Sequence, residues 1–388
     1  MIENMLANNI NKIEISGIRR FYNEVTRVPE ALSLTLGQPD FPVPEAVKDA
    51  MVLSIISNRT GYTENAGIKS LRDEISLFLE REYKICYNRD EICITVGGSE
   101  GIFSALGSII NPGDIVLLPS IAYPAYESCA TLLGGRVQYY KLKEDFTPDP
   151  ESLKEILEKG GVKAVVFSHP SNPTGAVLTK AAKEELYSLL KNEQCFIISD
   201  EIYSSIIYEE EYHSIAQYED LKERIILVGG FSKIFSMTGL RVGYVCAEKK
   251  VISAITKLHQ YNVSCAPSIA QYGALEGLRS CIPEVKHRRE EFRKRRDYSS
   301  KRLKDMGLDV NIPGGAFYLF PSIKRYSSCS EDFCKKLLYE GKVAVVPGSA
   351  FGRDGEGHIR LSYCYSIEEL KNCLDRMENW LEKAFNSI

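Results

Sequence analysis

The stretch Arg224-Ile-Ile-Leu-Val-Gly-Gly-Phe-Ser-Lys-Ile-Phe-Ser-Met-Thr-Gly-Leu-Arg-Val-Gly-Tyr-Val245 joins two apolar runs through a loop that carries a lysine, small hydroxyls and an arginine. Arg224 to Val228 and Arg241 to Val245 read as strands buried on both faces, because neither alternates apolar with polar residues. Similar runs stand upstream at Ile115-Val-Leu-Leu-Pro119, Lys163-Ala-Val-Val-Phe167 and Phe196-Ile-Ile-Ser199, with helical stretches between most of them. This alternation predicts an α/β fold whose mainly parallel sheet is doubly wound. Sheets of that kind hold ligands beyond the carboxyl ends of their strands, which is where Lys233 falls.

Further out, Asn111 to Asp114 reads as a turn and Thr179 to Leu190 as a helix that opens on a threonine cap. Past about residue 285 the pattern changes to a long charged helix, then strand-like Ala316-Phe-Tyr-Leu-Phe320, then an amphipathic helix from about Ile367 to Phe385. We expect a large domain over 46–285 and a small α+β domain made of 1–45 with 286–388. Lys286 to Asp297 is rich in arginine but interleaved with acids, so it reads as a solvated, salt-bridged helix face.

At 388 residues, with 44% hydrophobic and 26% charged residues, the chain has apolar material for a sizeable core. A net charge of -4 gives no overall attraction to nucleic acid or an anionic membrane. The first residues lack a basic segment followed by an apolar one, and no run nears the roughly 18 apolar residues of a membrane span. A cytoplasmic location is expected. The 11 cysteines show no CxxC pair and the 5 histidines no ligand spacing, so reduced thiols and no metal site are expected.

The Lys233 loop has company at other strand ends. Ser199-Asp-Glu-Ile-Tyr203 follows an apolar run, His169-Pro-Ser-Asn-Pro-Thr-Gly175 is a rigid loop exposing one amide, and Thr95-Val-Gly-Gly-Ser-Glu-Gly101 opens a helix whose free N–H groups suit a phosphate. Together with Leu36-Gly-Gln-Pro-Asp-Phe41, Gly61-Tyr-Thr-Glu-Asn-Ala-Gly67, Pro347-Gly-Ser-Ala-Phe-Gly352 and His358-Ile-Arg-Leu-Ser362, in this order and spacing, the chain resembles the fold-type I, class I/II pyridoxal-phosphate aminotransferases over nearly its whole length.

The resemblance implies that Lys233 bonds covalently to the cofactor and shuttles the reaction's proton. It implies that Asp200 pairs with the pyridinium nitrogen, that Asn172 and Tyr203 hydrogen-bond the ring's phenolic oxygen, and that Tyr123 stacks on the ring. The phosphate would be held by the backbone of Gly98, Ser99 and Glu100, by Ser232 and Arg241, and by Tyr62 from the other subunit of a homodimer. Glu100 is expected to offer only its N–H. The substrate α-carboxylate would sit at Arg360, with the backbone near Gly37 closing over it, while His169 is expected to be structural.

Glu14-Ile-Ser-Gly-Ile-Arg-Arg-Phe21, Lys257-Leu-His-Gln-Tyr-Asn-Val-Ser-Cys265, Met306-Gly-Leu-Asp-Val310 and Gly315-Ala-Phe-Tyr-Leu-Phe-Pro-Ser-Ile-Lys324 look like the bacterial N-acetyl-diaminopimelate aminotransferases. That likeness implies ping-pong exchange between N-acetyl-L,L-diaminopimelate and 2-oxoglutarate, with Tyr261 and Asn262 near the substrate side chain. Aspartate or aromatic amino-acid transamination and carbon–sulfur β-elimination are the alternatives. A ligand-sensing regulator is disfavoured, since about 36 residues precede Gly37, too few for a winged helix and linker.

Overall fold

The computed structural model describes residues 5–208 and 211–385. A short strand β1 (Leu32–Ser33) precedes the main sheet, which is built from β2 (Ile92–Thr95), β3 (Ile115–Pro119), β4 (Arg136–Tyr140), β5 (Val162–Ser168), β6 (Phe196–Asp200), β7 (Ile225–Gly230) and β8 (Gly243–Ala247). Their order is β2-β8-β7-β6-β5-β3-β4. Only β8 runs against its neighbours; the pairs from β7 to β4 are parallel.

Successive side chains of a strand point to opposite faces, and here both faces are covered. Leu117, Val165, Phe167, Ile197, Ile225 and Leu227 enter one core. Their neighbours Val116, Ala164, Val166, Ile198, Ile226 and Val228 enter another on the opposite side. The sheet is therefore mainly parallel and doubly wound, as the unbroken apolar runs require. The helix Lys180–Leu190 is capped by Thr179, whose hydroxyl accepts from the Ala182 amide at 3.1 Å.

Four short strands complete the described set: β9 (Tyr318–Leu319), β10 (Val343–Ala344), β11 (Val346–Pro347) and β12 (Ile359–Ser362). β11 and β9 flank β12, while β1 pairs with β10. This ties residues near the start of the chain to its C-terminal third, around a core that includes Phe21, Leu34, Phe317, Leu337, Leu361, Met377 and Trp380.

Three expectations need correction. The strand expected at Arg241 begins instead at Gly243, because Arg241 adopts a left-handed backbone with φ 51°. The strand expected over Ala316 to Phe320 shrinks to β9, Ala316 likewise lying at φ 55°. The long charged helix, Ile282–Asp305, is not a purely solvated face: Arg288 and Arg295 are buried on it. They bind the Pro42 carbonyl at 2.8 Å and the Asp40 carboxylate at 2.7 Å, and so anchor the segment that passes over Lys233.

Candidate active site

Lys233 lies in a one-turn helix, Phe231–Ile234, that directly follows β7. Its Nζ donates to the Gly37 carbonyl at 2.6 Å and sits 5.8 Å from the ring centres of Tyr203 and Phe317. Burial disfavours the ammonium form and lowers the pKa from 10.5 to about 8, with the nearby Arg360 and Arg241 cations adding to the effect. A neutral amine is thus accessible just above neutrality.

Asp200 closes β6 and is buried. Its carboxylate accepts from the Tyr126 hydroxyl at 2.5 Å and the Ile202 amide at 3.2 Å. Burial raises its pKa above 3.8, although both hydrogen bonds act the other way. Both donors are neutral, and a buried carboxylate held by neutral groups alone is a receptor for a cationic N–H. Tyr126 stands edge-on to Tyr123, with ring centres 5.8 Å apart. Sequence reasoning did not single out Tyr126 as a partner of Asp200.

Arg360, from β12, is 2% exposed. One nitrogen donates to the Asn172 side-chain oxygen at 2.9 Å and another to the Thr35 carbonyl at 2.6 Å. Its Nε has no hydrogen-bond partner, an uncommon state for a buried polar atom. Because the Asn172 oxygen faces the arginine, its NH₂ is free to donate elsewhere. The Tyr203 hydroxyl is 2.7 Å from that of Tyr318, whose ring lies 4.5 Å under the Arg360 guanidinium. Thr35 and Tyr318 were also missed, since both arrive by tertiary packing.

The helix Gly97–Ile109 begins beside the Arg241 guanidinium with no side-chain cap, which leaves N–H groups of its first turn without an intrahelical partner. Gly97 has φ +74°, and a Cβ there would fall 2.6 Å from the Arg241 guanidinium, so glycine keeps this turn open beside the cation. Arg241 is braced by the Thr238 carbonyl at 2.8 Å, and Ser232 is buried nearby in sequence to Lys233. Ser99 is exposed and Gly98 partly so. The Glu100 carboxylate turns back into the protein, accepting from the Val96 amide at 3.0 Å, from Ser104, and at 3.1 Å from His259. Its side chain therefore does not face the cradle.

Other expected residues stand apart. Tyr62 is 89% exposed and lines an open cleft of about 520 Å³ with Arg59, Glu64, Lys69 and Tyr272. Tyr261 is 88% exposed and Asn262 exposed near the end of the helix Lys249–Val263; no contact among the described residues joins them to Lys233. His169 is buried with its pKa lowered to about 4 by desolvation, which makes it a neutral packing residue. Among the described residues no metal-ligating cluster occurs, and no helix is long and apolar enough to cross a membrane. All 11 cysteines are free, and most are buried.

A buried lysine with a lowered pKa, a buried anion between neutral donors, and an arginine beside a helix N-terminus at the end of an α/β sheet define a cofactor-dependent group-transfer site. The family described as "Aminotransferase class I and II" matches residues 29–377, and the chain belongs to it. It is a pyridoxal-phosphate-dependent transaminase. A probable N-acetyl-LL-diaminopimelate aminotransferase from Bacillus subtilis is 42% identical, covering 98% of this chain and 97% of the relative. Among solved structures, the aspartate aminotransferase of Thermus thermophilus with maleate superimposes with TM-score 0.92 at 32% identity, over 97% of this chain and 99% of the other. An aromatic aminotransferase from Pyrococcus horikoshii gives TM-score 0.89 at 35% identity, over 94% and 99%.

Proposed function

We propose that the chain transfers an amino group between N-acetyl-L,L-diaminopimelate and 2-oxoglutarate by a ping-pong mechanism. The observation that carries this reading is the 42% identity over 98% of the chain to the Bacillus subtilis relative of that name. A second reading, a broad aspartate or aromatic aminotransferase, draws on the two structural neighbours. Initial rates with each amino donor against 2-oxoglutarate separate them: the first reading requires kcat/KM for the acetylated donor to exceed those for aspartate and phenylalanine. Equal values would favour the second.

The residues fit the cofactor. Bound pyridoxal phosphate supplies the electron sink for the carbanion that forms when the substrate α-carbon loses its proton. Lys233 Nζ, with its lowered pKa, takes that proton and returns it, as a general base whose affinity is tuned near working pH. Asp200 would accept the ring N–H and keep it protonated, with Tyr126 holding the carboxylate in place. Tyr203 and the NH₂ of Asn172 would donate to the phenolic oxygen, and Tyr123 would cover the ring. The amides at Gly98, Ser99 and Glu100, with Ser232 and Arg241, would hold the phosphate. The planar Arg360 fork takes the substrate carboxylate beneath Gly37.

Residues 46–285 then serve as the cofactor domain, with 1–45 and 286–388 forming the substrate-closing domain. We place Tyr62 on the phosphate of a second copy, and its near-complete exposure in one chain suits that role. Val52, Leu53, Ile55 and Ile56, all more than half exposed on the helix Glu45–Ile56, give a homodimer an apolar contact. Tyr261 and Asn262, exposed in one chain, are assigned to the substrate side chain. Light scattering at micromolar concentration should return twice the chain mass; a fully active monomer would rule the shared site out.

A further inference from the structure

Tyr318 touches three parts of the site at once. Its hydroxyl is 2.7 Å from that of Tyr203. Its ring carries the Arg360 guanidinium at 4.5 Å. Its oxygen also stands 1.9 Å from where a Cβ on residue 37 would be built, so glycine at 37 is what lets that backbone pass the hydroxyl. Tyr318 is 2% exposed and Tyr203 4%, so neither phenol exchanges its partner for bulk water.

Each phenol carries one proton, and two phenols in contact share one hydrogen bond in either direction. If Tyr203 donates to Tyr318, Tyr203 has no proton left to donate toward a ligand. If Tyr318 donates, the Tyr203 proton is free to point out of the pair. The Arg360 guanidinium acts on both phenols but lies against the Tyr318 ring at 4.5 Å, and this favours the second arrangement, since the phenol nearer the cation is the better donor. The titratable and charged groups around Tyr318 are Tyr203, Arg360, Cys364 and Tyr123, and those around Tyr203 are Tyr318, Arg360, Cys364 and the Lys233 amine, 5.8 Å from its ring.

We propose that Tyr318 is a positioning residue for Tyr203: its hydroxyl donates to the Tyr203 oxygen and commits the Tyr203 proton to the phenolic oxygen of the bound cofactor. This rests on the placement of Tyr203 at that oxygen given above. Removing the Tyr318 donor weakens the Tyr203 hydrogen bond to the anionic form of the cofactor, so the proton linked to that form binds more tightly.

The test is a pH titration of the cofactor's absorption in the purified holoenzyme, from pH 5 to 10, for the parent, Tyr318→Phe, Tyr203→Phe and the double variant. Phenylalanine at 318 keeps the ring under Arg360, and a melting curve reports whether each variant is folded. The expected result is an upward shift of the spectral midpoint by about 0.5–1 pH unit in Tyr318→Phe, a larger one in Tyr203→Phe, and no further shift on adding Tyr318→Phe to Tyr203→Phe. An unchanged midpoint in Tyr318→Phe, with Tyr203→Phe shifted, overturns the relay and leaves the Tyr203 placement standing. Equal shifts from Tyr318→Phe in both backgrounds overturn it too, because the effect would bypass Tyr203. An unchanged midpoint in Tyr203→Phe removes both the placement and the relay built on it.

Discussion

The Lys233 amine donates to the Gly37 carbonyl at 2.6 Å, so the segment expected to close over the substrate is tied to the lysine proposed to react. In the cofactor-free protein this bond competes with capture of the cofactor aldehyde, which needs a neutral amine. With the pKa lowered to about 8, the neutral fraction grows about tenfold per pH unit below that value and levels off above it. Stopped-flow absorbance after adding pyridoxal phosphate to the apoprotein should follow this curve between pH 6.5 and 9. A rate independent of pH would show that the amine is already neutral. Lys233→Ala should give no covalent adduct and no half-reaction with an amino donor.

Tyr126 should prove to matter through Asp200 alone. Tyr126→Phe keeps the ring packing against Tyr123 but removes the 2.5 Å hydrogen bond to the carboxylate. Loss of a hydrogen bond to a charged group costs roughly 1.5–3 kcal/mol, or about 10- to 100-fold in kcat/KM if the bond tightens in the transition state. The fall should appear in kcat with KM nearly unchanged, because Tyr126 does not touch Arg360, the residue proposed to hold the substrate carboxylate. A pure KM effect would place the phenol elsewhere in the reaction.

What the sequence made legible follows from what is local. Lys233, Asp200 and Asn172 stand in motifs directly after apolar strands, and a strand end fixes where such residues go. The two-faced burial of β3, β5, β6 and β7 could be read from their unbroken apolar runs. The edge strand β4 could not: of Arg136 to Tyr140 only Tyr140 is buried, so it carries little of that signal. Tyr126, Thr35 and Tyr318 meet their partners across long chain separations, which no local pattern encodes. Arg241 was read as strand because its neighbours are apolar; its left-handed backbone, which turns the guanidinium toward Gly97, is set by tertiary packing.

Arg360→Lys should be costly despite the kept charge. The guanidinium already spans Asn172 at 2.9 Å and Thr35 at 2.6 Å, and a lysine point charge cannot keep both contacts and grip two carboxylate oxygens. We expect KM for both amino and oxo substrates to rise about 10- to 100-fold. Cofactor retention should change little, since the groups expected to hold the phosphate do not involve Arg360. Equal KM values in parent and variant would remove Arg360 from the carboxylate site.

Glu100 links the helix Gly97–Ile109 to the helix Lys249–Val263 through His259, which is fully buried. Burial alone would raise the Glu100 pKa, but hydrogen bonds from His259, Ser104 and the Val96 amide outweigh it and hold the folded value below 4.5. A carboxylate with a depressed folded pKa contributes stability that is fully present above its unfolded pKa and is lost as pH falls through the folded one. Glu100→Gln should therefore melt lower than the parent at pH 7, by several degrees for a loss of about 1.5–3 kcal/mol. The gap should narrow as the pH is taken below about 4.5. Differential scanning calorimetry of both proteins at pH 7, 5 and 4 checks this. A gap that stays constant across the series would mean that the glutamate acts through shape and not through its charge.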